Sequence, residues 1–240
     1  MAALPKIAVP KFKLKLPSNG KEILYRPFLV KEEKTLLMAI EGGEDNDVTE
    51  AVINIIDACV DYDGNVRELP FFDVEYIFVQ LRAKSINNII KLNLKHGSAT
   101  ECKHVTEYEL NLENVKIEIP EDFSKNIQLT NDVGLVLKLP SLETSSKIGA
   151  SLTSSKIESV FEALSLQVES VYDQENVYDD FTQEEMIDYL GQLNKEQFLN
   201  VVGFFEKMPT VSYDVKYTCE ACGKDEIIPM RGLQSFFMYR

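Results

Sequence analysis

The sequence has no tryptophan, only two histidines and no long uninterrupted apolar run. A membrane-spanning helix needs about 20 mostly apolar residues in succession, so the sequence predicts no membrane segment. The N-terminal stretch MAALPKIAVPKFK has no apolar stretch of the length that secretion requires. We therefore expect a protein that stays in the cytoplasm in which it is made.

Positive charge is also scarce. The chain carries 25 Lys and Arg residues against 39 Asp and Glu residues, a net charge of −14. The averaged field of such a protein repels phosphate groups, which argues against nonspecific binding to nucleic acid or to an anionic membrane surface. With 240 residues, 45% of them hydrophobic and 27% charged, the chain is long enough and apolar enough to form a globular core.

Catalytic signatures are missing as well. No glycine-rich phosphate-binding motif occurs, and both histidines fall within nine residues of each other, at His96 and His104. Adjacent acidic residues such as Asp179 and Asp180 do not face a common point on a helix, so such pairs indicate solvated surface. The sequence predicts no catalytic residues and no enzyme activity.

Periodicity and turn signals predict a hairpin followed by three helices. KFKLKL (11–16) and KEILYRPF (21–28) alternate on either side of an Asn-Gly pair, which is a strong signal for a hairpin turn. Apolar residues then recur at helical spacing. The helices are predicted at 30–40, at 48–60 with Asp47 as the N-cap, and at 71–85.

The remainder of the chain mixes strand and helix patterns. Alternating or apolar runs predict strands at 89–94, 107–119, 127–129, 135–139, 211–218 and 225–228. Helical spacing predicts helices at 156–172, 183–193 and 195–207. Thr182 and Asn194 stand at the N-cap positions of the last two helices, and Thr182 with Glu185 fits a capping box.

The segment YTCEACGKDE (217–226) is the most specific local motif. A Cys-X-X-Cys-Gly turn between two strands is typical of a zinc-ribbon knuckle, in which the turn directs both sulfurs to one point. One knuckle supplies two of four ligands. Cys102 and His104 are two residues apart and could complete the site, with His96 as the alternative imidazole. Cys59 is predicted to lie on an apolar helix, with its side chain in the protein core. The other interpretation is a knuckle without metal that keeps two buried thiols.

These elements predict an α+β fold. Its parts are an N-terminal hairpin with helices, a central antiparallel β-region, a helical segment at 142–208 and a C-terminal zinc-ribbon-like hairpin. The C-terminal hairpin is predicted to return to the central hairpin, so that 86–119 and 211–230 form a ribbon subdomain. We therefore expect one interlocked domain over residues 1–240.

Three blocks of sequence resemble a known family. GKEILYRPFLVKEEKTLLMA (20–39), LPFFDVEYIFVQLRAKS (69–85) and YTCEACGKDEIIPMRGLQSFF (217–237) are similar in order and spacing to the T4-type phage baseplate proteins. That family includes the hub subunit and the hub assembly protein of T4-like phages. Its members often carry two Cys-X-X-Cys knuckles, and here the first is reduced to Cys102-Lys103-His104. Within the blocks lie Arg26, Glu32, Glu33 and Arg82.

The resemblance implies a non-enzymatic hub protein or hub assembly factor that contacts other baseplate hub proteins. It places the protein in the host cytoplasm during assembly and, for a retained subunit, in the tail baseplate of the virion. Structural zinc is the only cofactor that it implies. The alternative is a zinc-ribbon module that acts on nucleic acid or a transcription complex. The charge around the knuckle counts against that alternative. Residues 217–226 contain three acidic residues, Glu220, Asp225 and Glu226, and one basic residue, Lys224, whereas a nucleic-acid-binding ribbon is expected to be basic.

Overall fold

The computed structural model describes residues 8–42, 45–85, 88–95, 102–152 and 157–235. The fold is α+β with antiparallel sheets, as the sequence predicted. The chain divides into two compact units. The terminal unit comprises Met1–Glu68, Phe72–Glu118 and Thr210–Arg240, and the middle unit comprises Leu69–Phe71 and Ile119–Pro209. Whether the two form one interlocked domain stays a prediction.

The elements run in chain order as follows. Up to Glu118 they are β1 (Phe12–Lys15), β2 (Glu22–Tyr25), α1 (Val30–Gly42), α2 (Asp45–Cys59), β3 (Val60–Asp61), α3 (Phe71–Ser85), β4 (Ile89–Lys95), β5 (Val105–Asn111) and β6 (Lys116–Glu118). The middle unit contributes β7 (Asn126–Gln128), β8 (Gly134–Leu137), α4 (Leu142–Leu152), α5 (Ile157–Ser165), β9 (Val168–Tyr172), β10 (Val177–Tyr178), α6 (Gln183–Gly191) and α7 (Lys195–Glu206). The chain then returns with β11 (Thr210–Thr218), β12 (Asp225–Arg231) and α8 (Gly232–Ser235).

Helix α3 lies at the centre of the terminal unit. Its apolar side chains are buried on nearly every face, and Ile77, Phe78 and Leu81 are fully buried. Two acidic residues of the same helix are buried too. Asp73 accepts hydrogen bonds from the backbone N–H and the hydroxyl of Ser18 in the first hairpin turn, at 3.0 and 2.5 Å. Glu75 accepts one from the N–H of Val211 in β11, at 3.3 Å.

Most predicted elements of the terminal unit are confirmed. The first hairpin pairs β1 with β2, and the two later hairpins pair β4 with β5 and β11 with β12, all antiparallel. Two details were wrong. Helix α2 begins at Asp45, so Asp47 lies inside it rather than capping it. The run at 107–119 is not one strand, because the chain turns after β5 and its continuation, β6, pairs with β11.

The middle unit packs helices on a four-stranded sheet of order β10-β9-β8-β7. Leu135 and Leu137 from β8, Leu164 from α5 and Val201 from α7 share its core. The helix predicted for 156–172 is wrong after Ser165, where the chain forms β9 and pairs with β8. Cross-strand pairing that buries Val168 therefore overrides the helical pattern of this segment.

Both predicted N-caps are present in the middle unit, and each forms a capping box, of which the sequence predicted the one at Thr182. Thr182 accepts a hydrogen bond from the N–H of Glu185, whose carboxylate accepts one from the N–H of Thr182, at 3.2 and 2.7 Å. Asn194 and Gln197 make the same reciprocal pair at the start of α7. These caps satisfy N–H groups that have no partner within a helix, which explains why both helices begin where the sequence indicates.

Candidate metal site

The Cys-X-X-Cys motif forms a tight turn between β11 and β12. The N–H of Cys219 donates to the carbonyl of Lys224, and the N–H of Gly223 donates to the carbonyl of Cys219, both at 2.9 Å. Gly223 has a φ of +68°, a conformation that glycine adopts without the steric cost of a side chain. The local sequence therefore forms the tight turn that a knuckle requires, and the zinc-ribbon-like character of the hairpin stays a prediction.

Cys102 approaches this turn from the β4–β5 hairpin of the terminal unit. It lies just before β5, which contacts β11 where the hydroxyls of Tyr108 and Tyr213 are 3.4 Å apart. The sulfur of Cys102 is 3.9 Å from that of Cys219. The ligand atoms of Cys102, Cys219 and Cys222 all lie within 4.8 Å of one another. Residues separated by more than a hundred positions are thus brought to one point.

The three sulfurs are spaced suitably for a metal ion. Tetrahedral zinc with Zn–S bonds of about 2.3 Å requires sulfurs about 3.8 Å apart, close to the 3.9 Å between Cys102 and Cys219. Cys219 is buried, Cys102 is half-buried and Cys222 is exposed. None of the four cysteines, all of which lie in the described ranges, forms a disulfide. The cluster could therefore hold a metal through three thiolates.

His104 is two residues from Cys102 in sequence, but its ring nitrogens do not lie within 4.8 Å of all three sulfurs, so it is not a member of the cysteine cluster. Its Nε2 atom is shielded from solvent and has no hydrogen-bond partner among the described residues. Oε2 of Glu220 lies 3.9 Å from this Nε2 atom. A shielded imidazole nitrogen that makes no hydrogen bond can act as a ligand and bind a metal ion. That His104 is the fourth ligand stays a prediction, and His96 lies outside the described residues.

The chemistry around the cluster distinguishes its cysteines from Cys59. Burial raises the pKa of the Cys59 thiol to about 11, so this cysteine in α2 is an unreactive core thiol, as predicted. Burial also raises the pKa of Tyr217 in β11, and electrostatic interactions with Glu226 and Cys219 raise it further. Tyr217 therefore stays a neutral phenol next to the knuckle.

Arg26 and Glu32, from the first family-like block, form an ion pair in which the carboxylate is buried and the guanidinium is partly exposed. Nη2 of Arg26 is 3.0 Å from Oε1 of Glu32, whose side chain is 7% exposed. The same guanidinium donates to the carbonyls of Pro27 and Ala58. Oε2 of Glu32 accepts a hydrogen bond of 2.7 Å from the N–H of Leu29. The sequence placed both residues in the block but did not predict that they pair.

The pKa values of two buried carboxyl groups in the family-like blocks, Glu32 and Asp73, shift in opposite directions. Burial would raise the pKa of Glu32, but the hydrogen bonds from Arg26, Leu29 and Lys31 outweigh it and hold that pKa below its usual value. For Asp73, from the second block, burial dominates over the hydrogen bonds from Ser18 and raises the pKa. These carboxylates bind parts of the fold together.

The geometry thus defines an α+β protein with a cysteine cluster at the meeting point of two β-hairpins. The family model described as T4 bacteriophage base plate protein matches residues 9–238. The chain therefore belongs to the T4 bacteriophage base plate protein family, which confirms the resemblance drawn from the three sequence blocks.

The chain is also similar to a curated phage protein. It is 24% identical over 229 residues to baseplate hub assembly protein gp26 of Enterobacteria phage T4, and the match covers 95% of this chain and 98% of that protein. No solved structure matches the chain significantly. Among the described helices, none is both long enough and apolar enough to cross a membrane.

Proposed function

We propose that this protein is a non-enzymatic component of phage baseplate hub assembly that acts through contacts with other hub proteins. The observation that carries this proposal is the family match over residues 9–238. The similarity to a baseplate hub assembly protein, over nearly the full length of both chains, supports a role in the hub or its assembly. The protein acts in the host cytoplasm during tail assembly.

The buried acidic groups support a non-enzymatic role. Asp73 binds Ser18, Glu32 binds Arg26, and Glu75 binds the N–H of Val211. Perturbed carboxyl groups often mark catalytic sites. Here each buried carboxylate instead holds two segments of the terminal unit together, a role that needs no substrate.

Co-expression tests this function. The protein is produced together with the other hub proteins of the same phage, and the complex is isolated through an affinity tag on one of them. We expect this chain to co-purify, and mass spectrometry of finished virions then shows whether it is retained in the tail baseplate. The proposal fails if the chain binds none of the hub proteins but shifts DNA at physiological salt, the result expected of a zinc-ribbon module acting on nucleic acid.

We further propose that the cysteine cluster holds structural zinc, with Cys102, Cys219, Cys222 and His104 as ligands. Three close sulfurs and a shielded imidazole nitrogen support this assignment. A closed site of four ligands would join the two hairpins and stabilise the terminal unit. Its role is structural, since no position would remain open for a substrate.

Metal analysis of the purified protein tests the zinc proposal. We expect about one zinc per chain, lost in Cys102→Ser and Cys219→Ser and weakened in His104→Ala. Cys59→Ala is the matched control, because that thiol is buried in α2 and belongs to no cluster. Equal zinc content in His104→Ala and the parent would exclude His104 as a ligand. A purified parent protein that contains no zinc would refute the site.

A further inference from the structure

An open apolar groove crosses the middle unit. Its volume is about 400 Å³. Apolar and aromatic side chains line it, including Val171 and Tyr172 of β9, Met186 and Tyr189 of α6, and Phe181 in the loop before α6. A groove of this size and composition can accept a large apolar side chain.

The sequence of the middle unit shapes one wall of this groove. Gly134 in β8 lies under the Tyr172 ring, and a methyl group in place of its hydrogen would overlap that ring. The Tyr172 hydroxyl donates to Oε1 of Gln128 at 3.1 Å. The ring is therefore held across the sheet by close packing on one side and by a hydrogen bond at its tip.

Two fixed carboxylates stand at the edge of the groove. Asp173 accepts hydrogen bonds from the N–H groups of Glu175 and Asn176 and from the hydroxyl of Tyr178, at 2.8, 2.7 and 2.9 Å. Those bonds lower the pKa of Asp173, and the capping bonds from Thr182 lower that of Glu185. Both groups are therefore negatively charged at neutral pH.

The surrounding sequence adds negative charge without balancing it. Residues 157–194 contain ten Asp and Glu residues and no Lys, Arg or His. Asp179, Asp180, Glu184 and Asp188, which adjoin the groove in sequence, are exposed. Lys125 reaches one of the ten, Glu169, at 2.9 Å, but Glu169 does not line the groove. The groove thus combines an apolar floor with an acidic rim.

We propose that this groove docks a basic, amphipathic segment of a partner protein. An apolar side chain of that segment fills the groove, and flanking Lys or Arg residues pair with the acidic rim. Opposite charge speeds association and selects the partner, while the buried apolar anchor supplies most of the affinity. The same negative charge disfavours nucleic acid and anionic lipid as occupants. This inference rests on the proposed role in assembly and names the kind of partner that the middle unit binds.

A tryptophan-containing peptide makes a sensitive probe, because the chain itself has no tryptophan. The probe is a short synthetic peptide in which one Trp and two Leu residues alternate with Lys. Its fluorescence reports only the peptide. We expect a blue shift on binding to the full chain, as the indole leaves water, and an affinity that falls as salt is added. A control peptide with Glu in place of Lys should not bind.

Matched variants locate the binding surface. Asp179→Asn/Asp180→Asn/Glu184→Gln removes three exposed charges that each adjoin a groove-lining residue in sequence, and we expect about tenfold weaker binding. Glu121→Gln/Glu196→Gln/Glu206→Gln changes the net charge equally at exposed positions that neither line the groove nor adjoin its lining residues in sequence, and should bind like the parent. Tyr178→Ala removes a half-exposed ring from the groove edge and should abolish the blue shift. Circular dichroism checks that each variant is folded.

Four results would overturn the docking proposal. Equal weakening by both triple variants would indicate general charge attraction, and an unchanged blue shift in Tyr178→Ala would place the indole elsewhere. If sedimentation shows that the parent is a dimer and that Tyr178→Ala is a monomer, the groove is occupied by a second copy of the chain. Co-purification with hub proteins is measured separately. A chain that joins the hub but fails to bind the peptide refutes the groove and not the proposed function.

Discussion

The Arg26–Glu32 pair allows a quantitative test of how the first family-like block works. Arg26→Met leaves the Glu32 carboxylate buried, with 7% of its side chain exposed, and removes two hydrogen bonds to carbonyls of the same unit. Breaking a buried ion pair on one side costs about 3–5 kcal/mol. The lower value applies because Nζ of Lys31 is 3.3 Å from the same carboxylate oxygen and remains.

We therefore expect Arg26→Met to lower the free energy of unfolding by about 3 kcal/mol, a fall in Tm of roughly 6–12 °C for a chain of this size. Glu32→Gln keeps an oxygen for the N–H of Leu29 and should cost less, about 1–2 kcal/mol. The double variant buries no charge, so it should be less destabilised than the sum of the two. Urea unfolding of the parent, both single variants and the double variant measures the coupling directly.

The pH dependence gives an independent check. The pKa of Glu32 is lowered in the folded protein, so its contribution is fully present above the ordinary value of 4.5 and is lost as the pH falls below it. The difference in stability between parent and Glu32→Gln should shrink over that range. Single-variant costs that add to within about 0.5 kcal/mol would show that the two residues do not interact and would refute the reasoning.

Three further outcomes follow from named contacts. Asp73→Asn should gain stability relative to the parent as the pH rises from 3.8 toward neutrality, because the raised pKa of Asp73 makes its charged form unfavourable in the fold; a pH-independent difference in urea unfolding would contradict this. Gly223→Ala should cost about 1 kcal/mol through its positive φ alone, since nothing lies within 4 Å of an added Cβ, and should weaken metal binding more than Gly149→Ala. Gly134→Ala should destabilise the middle unit by about 1–3 kcal/mol through overlap with Tyr172, and adding Tyr172→Ala should relieve part of the cost.

Sequence reasoning succeeded where the determining interactions are local. The Asn-Gly turn predicted the first hairpin, and Thr182 and Asn194 predicted the starts of α6 and α7 because a cap binds N–H groups only a few residues away. It failed for β9, whose pairing with β8 joins residues 31 to 38 positions apart, from Leu137 with Val168 to Gly134 with Tyr172, and overrides a helical pattern. No local signal encodes such a partner.

The candidate sites divide in the same way. The approach of Cys102 to Cys219 was predictable because thiols at a knuckle have few chemical uses, and an incomplete ligand set requires a second segment. The acidic groove was missed because its aromatic residues look like ordinary core positions and its carboxylates like ordinary surface. Only the fold shows that β9 and α6 place both at one edge.

The two units therefore suit different tasks in an assembly protein. In the terminal unit, hydrogen bonds to buried carboxylates and a cluster of thiols join segments distant in sequence, and such contacts favour one packed arrangement. In the middle unit, the acidic charge is left facing solvent around an apolar groove, an arrangement that adds little to the stability of the free chain. Uncompensated charge next to exposed aromatic surface is stabilised by a basic partner, and so the recognition of a partner is expected to depend on the middle unit. Substitutions on the groove rim should accordingly weaken assembly without lowering Tm, whereas substitutions at the Arg26–Glu32 pair should do the reverse.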